Sequence, residues 1–99
     1  MTRDGKPRAL SVDQGAALFK LLGDPHRLRL LTHLARHGKA NVSGLSRAVG
    51  QTPAAVSHHL KLLRLGGLVD YRREAHSNRY SLASAVARDL LGWVDGAAR

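Results

Sequence analysis

A mainly α-helical fold closed by a small β-hairpin is what this chain of 99 residues predicts, and three observations carry the prediction. The stretch from Thr52 to Arg64, TPAAVSHHLKLLR, opens with a cap and a proline, and sets one apolar face against one that is small, polar and basic. A shorter helix, VSGLSRAVG (Val42 to Gly50), lies just upstream, and a basic segment, LVDYRREAHSNRYSL (Leu68 to Leu82), lies just downstream. Two short helices across a tight turn, followed by a basic β-ribbon, are the parts of a winged helix-turn-helix, here five helices plus a two-stranded wing.

The elements follow in order. Residues 1–10, MTRDGKPRAL, are polar, basic and proline-containing, and are expected to form a flexible basic arm; residues 11–96 form the domain. A first helix runs from Val12 to Leu22, where Ala16, Ala17, Phe19, Leu21 and Leu22 make more than one face apolar, and Gly23 ends it. Asp24 caps a second helix, with Pro25 at the first helical position where its missing N–H costs nothing. Leu28, Leu31, Leu34 and Ala35 form its inward face, and Gly38 closes it after a basic last turn. The third helix, Val42 to Val49, turns Val42, Leu45 and Val49 inward. Thr52 and Pro53 start the fourth by the same device as Asp24 and Pro25. Its inward stripe is Val56, Leu60 and Leu63, at i, i+4 and i+7, and Gly66-Gly67 stops it. Strands are expected over Leu68 to Arg73 and Arg79 to Leu82, turning through Ala75-His76-Ser77-Asn78 with Asn78 suited to a left-handed conformation. Ser84 caps a fifth helix that runs to about Val94.

Charge narrows the function. Sixteen Lys and Arg against seven Asp and Glu give a net +9, which fits a polyanionic partner, nucleic acid before membrane. The excess lies in the first 82 residues; residues 83–99 carry two basic and two acidic groups, so that segment is free to bury against protein. The absence of cysteine excludes disulfides, zinc-thiolate sites and thiol redox switching. No apolar run approaches about 18 residues and no secretory pattern opens the chain, so a cytoplasmic protein with no membrane partner is expected. No enzyme is expected: the sole glutamate, Glu74, sits on the wing, no acid–base pair is suggested, and no catalytic residue or cofactor is assigned.

A helix enters the major groove when its outward face is small near the tip and offers hydrogen-bond donors. Thr52, Ala54, Ala55, Ser57, His58 and Lys61 meet that requirement. Thr52, Ser57 and His58 can reach base edges or phosphates, and the two alanines permit close approach. Lys61 and Arg64 lie further along, where phosphate contact is the expectation. On the wing, Arg72, Arg73, His76 and Arg79 are placed to grip the backbone or enter the minor groove. His59, beside Leu60, reads as a half-buried ring bonded to backbone rather than a base reader. His33 and His37 have the i, i+4 spacing that can chelate an ion, but Arg29 and Arg36 share their face, so no metal is assigned.

LFKLLGDPHRLRLLTHL (Leu18 to Leu34) and VSHHLKLLRLGGLVDYRREAHSNRYSL (Val56 to Leu82) together resemble the ArsR-type (ArsR/SmtB) winged-helix repressors. The likeness covers roughly residues 16–84. It implies a homodimer joined by the first and last helices, and repression by occupying a promoter until an inducer binds. Two departures bear on that inducer. Family arsenic and cadmium sensors carry paired cysteines where this chain has Asn41 and Ser43, and zinc and cobalt sensors use Asp and His on a last helix that here offers Asp89 and Asp95 but no histidine. Pro53 also stands where the family often has glutamine, which implies a different operator.

The expectation is therefore a homodimeric, sequence-specific repressor on an inverted-repeat operator in double-stranded DNA, without the family's cysteine metal site. Leu18, Leu21, Val86, Leu90, Leu91 and Val94 are the expected dimer contacts, because the first and last helices are more apolar than one core-facing stripe requires. The inducer is left open. Two alternatives stand beside this reading: a non-specific architectural DNA-binding protein, and a protein-regulated autorepressor with no small-molecule inducer.

Overall fold

A computed structural model describes residues 10–94. Its elements are α1 (Val12–Leu22), α2 (Pro25–His37), α3 (Val42–Val49), α4 (Pro53–Leu65), β1 (Val69–Glu74), β2 (Ser77–Leu82) and α5 (Ala85–Leu91), a winged helix-turn-helix. The expected basic arm, residues 1–10, lies outside the described residues but for Leu10, and so does the chain beyond Val94.

Every helix starts on a side chain that takes up an otherwise unpartnered backbone N–H. Ser11 Oγ accepts from Gln14 N while Gln14 Oε1 accepts from Ser11 N, a reciprocal capping box on α1. Asp24 Oδ2 accepts from Arg27 N at 2.9 Å, Asn41 Oδ1 from Gly44 N at 2.8 Å, Thr52 Oγ1 from Ala55 N at 3.1 Å and Ser84 Oγ from Ala87 N at 3.1 Å. Gly50 adopts the left-handed conformation (φ 71°, ψ 29°) that reverses the chain between α3 and α4.

α2 is the hub: it packs on α1, α3, α4, α5 and β2. Leu30, Leu31 and Leu34 are buried completely, while Leu28 and Ala35, expected to point inward, lie at the margin. A helix walled in by five elements buries a wider arc than one amphipathic stripe. Leu45 of α3 and Val56, Leu60 and Leu63 of α4 close the core as expected.

Two expectations are corrected, and a third feature is a contact the sequence did not suggest. The wing is a tighter hairpin than the sequence suggested. Its strands pair in register from Val69–Leu82 to Glu74–Ser77, leaving only Ala75 and His76 in the turn. Ala75, at φ 54°, takes the left-handed position, whereas Asn78 is inside β2 opposite Arg73. α5 stops at Leu91, three residues short of Val94: the N–H groups of Trp93 and Val94 bond to the carbonyls of Leu90 and Leu91, a tightening typical of a helix end. Third, Ala40 exchanges two backbone hydrogen bonds with Tyr80 (2.8 and 3.0 Å), so the segment before α3 clamps the wing from outside β2.

Arg27 completes the frame. Its Nε donates to Leu21 O at 2.9 Å and its Nη2 to Lys20 O at 3.1 Å, so the first turn of α2 satisfies the carbonyl end of α1.

Candidate nucleic-acid interface

Because Val56, Leu60 and Leu63 are fully buried, α4 is fixed in rotation about its own axis. Ala54, Ser57, His58 and Lys61 then form one exposed stripe at i, i+3, i+4 and i+7, with Thr52 exposed at its start and Ala55 half-buried on its flank. The stripe begins at a helix N-terminus, so backbone dipole and side-chain donors point the same way. Thr52 accepts the N–H of Ala55 and keeps its own hydroxyl proton free to donate.

Arg64 is placed differently from the rest. Its guanidinium lies 4.7 Å from the centre of the Tyr71 ring and its Nε 3.8 Å from Asp70 Oδ1. Sequence reading sets it beside Lys61 as a phosphate ligand; in the fold its half-exposed side chain also links the end of α4 to the base of the wing. Tyr71 in turn meets Tyr80 across the hairpin at 5.3 Å.

The wing divides its cations between two faces, because side chains alternate along a strand. Arg72 and Arg79 are directly opposed. Two like charges in that position repel, and Glu74 sits between Arg79 (3.5 Å) and Lys39 of the α2–α3 connection (3.5 Å). Arg73 lies on the other face, opposite Asn78. Arg72 and Arg73 are exposed, as is His76 in the turn, whereas Arg79 is half-buried and engaged. Lys39, Asp70 and Glu74 are contacts that sequence reading missed: the Ala40–Tyr80 bridge brings Lys39 to Glu74, and α4 packing on β1 brings Arg64 to Asp70, with no local pattern to mark either.

His59 sits where α4 meets the start of α2. Its ring stacks on His26 at 6.1 Å, and its Nδ1 is buried without a hydrogen-bond partner among the described residues, so the expected backbone bond is not made. Burial lowers its pKa, with help from Arg27, His58 and His26 and against the carboxylate of Asp24. Gln51 braces the same junction, donating from Nε2 to His26 O at 3.0 Å, and Ser46 Oγ donates to Gln51 O. These contacts hold the recognition helix against the body of the domain.

The residues expected at a subunit contact separate into two sets. Leu91 (1% exposed) and Leu18 (9%) are taken up by the protein's own core, whereas Val86 is 37% exposed and Leu21, Leu90 and Val94 are half-buried. Phe19, Val12 and Trp93 add exposed apolar surface on the same two helices or just beyond. At the positions of the resembled metal sites, Asn41 caps α3 and Ser43 Oγ accepts from Arg47 Nη1 at 2.9 Å. Among the described residues, no three His, Cys, Asp or Glu side chains gather as a metal-binding group.

The fold and the exposed recognition stripe define a DNA-binding transcriptional regulator of the winged helix-turn-helix class. Residues 24–71 match the model of the bacterial regulatory protein, arsR family. A transcriptional repressor SmtB homolog from Synechocystis is 43% identical over 91 residues, covering 89% of this chain and 68% of that protein. The HTH-type transcriptional regulator YgaV of Escherichia coli is 32% identical over 81 residues, 82% of each chain. Among solved structures, a homodimeric winged helix-turn-helix DNA-binding domain from Mycobacterium bovis superimposes with a TM-score of 0.77 at 33% identity, covering 88% of this chain and 80% of that one. HlyU from Vibrio cholerae gives 0.75 at 30% identity, covering 80% and 85%. The chain belongs to the ArsR family of transcriptional regulators.

Proposed function

We propose that this regulator is a homodimeric repressor that reads an inverted-repeat operator through α4 and holds the flanking backbone with its wing. The observation that carries the reading is the two-sided construction of α4. Three fully buried residues fix its rotation, and Thr52, Ala54, Ser57, His58 and Lys61 stand outward, small at the tip and rich in donors. Ser57 and His58 address base edges, Ala54 and Ala55 allow the close approach, and Lys61, Arg72 and Arg73 meet phosphates. Arg79 supports the wing through Glu74, and Arg64 does so through Tyr71.

Pairing through α1 and α5 is supported by the exposed apolar side chains there and by the homodimeric state of the similar domain from Mycobacterium bovis. Val86, Leu90, Leu21 and Val94 are the contacts the surface offers. Repression as the outcome is supported by the Synechocystis relative, itself described as a repressor. Asn41 and Ser43 are not thiolates and α5 carries no histidine, so derepression by arsenite, cadmium or zinc through the family's known ligand sets is not expected.

Footprinting on the DNA upstream of the protein's own gene, with sedimentation of the protein alone, tests the reading. Two protected half-sites about one helical turn apart, or a multiple of that, together with a dimeric sedimentation coefficient, are expected. Uniform protection without preferred sites would favour an architectural role.

A further inference from the structure

α2 and α3 enclose a cleft of about 270 Å³ lined by Arg29, Thr32, His33, Arg36, His37, Ala48 and Val49. Neither helix contains an aspartate or a glutamate. Among the described residues, neither Arg29 nor Arg36 is ion-paired: the ion pairs formed there engage Lys39, Arg64 and Arg79. A basic C-terminal turn is ordinary for a helix, and the macrodipole accounts for Arg36 and His37 at the end of α2. It does not account for Arg29 and His33, which lie before the last turn, toward the middle of the helix, where the dipole has faded. His33 and His37 pack their rings 4.4 Å apart, an arrangement two charged imidazoles would resist. Burial, then His37 and Arg36, lowers the pKa of His33 and so favours the neutral ring. Among the described residues the cleft therefore holds two permanent cations, two imidazole rings and no lining counter-charge.

We propose that this cleft binds a tetrahedral oxyanion of the phosphoryl type, held by Arg29 and Arg36 beside the paired rings of His33 and His37. Arginine suits such a ligand because its planar fork matches two oxygens at once. The charged groups facing the two rings are Arg29 and Arg36 of α2; α3 contributes only Ala48 and Val49. Among the described residues only the ligand would offset a proton gained by His33, so binding should tighten as pH falls below the ordinary imidazole range toward the lowered pKa of that ring. Two sources carry this chemistry: a free effector anion, or a phosphate of DNA beyond the reach of α4 and the wing. The free-anion case is independent of the DNA reading given above.

Ring-proton NMR of the histidines in the intact chain decides. The first probe is inorganic sulfate, which stays doubly charged across the range, followed by inorganic phosphate. The second is mixed-sequence duplex DNA. A free effector site predicts a saturable shift of the His33 ring toward the protonated position, with saturable perturbation of the adjacent His37 ring, on adding sulfate or phosphate, weakened about tenfold or more in the Arg29→Gln, Arg36→Gln double variant. A backbone contact predicts the same ring shifts with duplex only, and a salt slope smaller by about 0.9 for each arginine removed. Rings that respond to neither probe, or respond equally in the double variant, would overturn the proposal. Both arginines are exposed on α2, so the variant's helical circular dichroism should match wild type.

Discussion

Arg64, in the last turn of the recognition helix, stacks on Tyr71 at the base of the wing, 4.7 Å from guanidinium carbon to ring centre. The contact links the end of α4 to β1 at the base of the wing. A partly exposed cation–π pair contributes about 0.5–1 kcal/mol, and the exposed 3.8 Å contact with Asp70 adds little to that. A double-mutant cycle on Arg64→Ala and Tyr71→Ala should therefore show a coupling of about 0.5–1 kcal/mol in denaturant melts. If Arg64 is spent on the wing, Arg64→Ala should also leave the salt slope of DNA binding nearly unchanged. A slope reduced by about 0.9 would return it to the phosphate ligands.

Leu21 and Gly66 make a second junction, between α1 and the end of α4. A methyl group on Gly66 would stand 2.3 Å from Leu21 Cδ1. The backbone at Gly66 (φ −82°, ψ 0°) suits any residue, so only the contact opposes substitution. Gly66→Ala is expected to cost about 1 kcal/mol in the wild-type background, the scale of a side chain forced off its rotamer. In a Leu21→Ala background the same change should be neutral or stabilise by about 0.4–1 kcal/mol, since alanine restricts the unfolded chain. Equal effects in both backgrounds would show that Leu21 gives way freely.

His33 and His59 share a pH signature. Burial lowers the pKa of each from 6.5, so each ring is neutral in the fold at a pH where the unfolded ring is charged. The unfolded chain then binds more protons, and stability is lost as pH falls through about 6.5, levelling off only below the folded pKa. Urea melts across pH 5–8 should show that fall for wild type, and a shallower one for His59→Gln and for His33→Gln. A wild-type profile no steeper than those of the variants would remove both rings from the account.

Assembly can be separated from folding because Leu91 is inside the protein's core and Val86 is on its surface. Leu91→Asp would bury an unpaired charge, and its circular dichroism should report an unfolded chain. Val86→Asp should stay folded and sediment as a monomer where wild type is a dimer. A Val86→Asp protein that remains dimeric would move the subunit contact away from α5.

Much of this architecture is legible in the sequence because helix boundaries are local chemistry. Asp24-Pro25 and Thr52-Pro53 announce α2 and α4 before any contact is known, and the Val56, Leu60, Leu63 spacing fixes which side of α4 faces out. What stayed hidden depends on tertiary placement. Ala75 takes the left-handed turn position although alanine carries no preference for it; the strand register imposes it. Leu91 looks like an interface residue in a strip of apolar side chains, and only the packing of α5 on α2 assigns it to the core. The candidate site divides in the same way. The exposed stripe of α4 can be read from periodicity, but the commitments of Arg64 to Tyr71 and of Arg79 to Glu74 arise from residues brought together by the hairpin.

The central claim is that α4 supplies sequence preference and the wing supplies grip, and the ratio of affinities for the footprinted promoter site and a mixed-sequence duplex measures it directly. Wild type should prefer the site by about a thousandfold or more. Ser57→Ala and His58→Ala should each erode that preference, by about 1–3 kcal/mol where the side chain makes a good base contact. Arg72→Ala and Arg73→Ala should weaken both duplexes alike and flatten the salt slope by about 0.9 each. Wing variants that change the ratio while Ser57→Ala and His58→Ala leave it intact would contradict the assignment of base reading to α4.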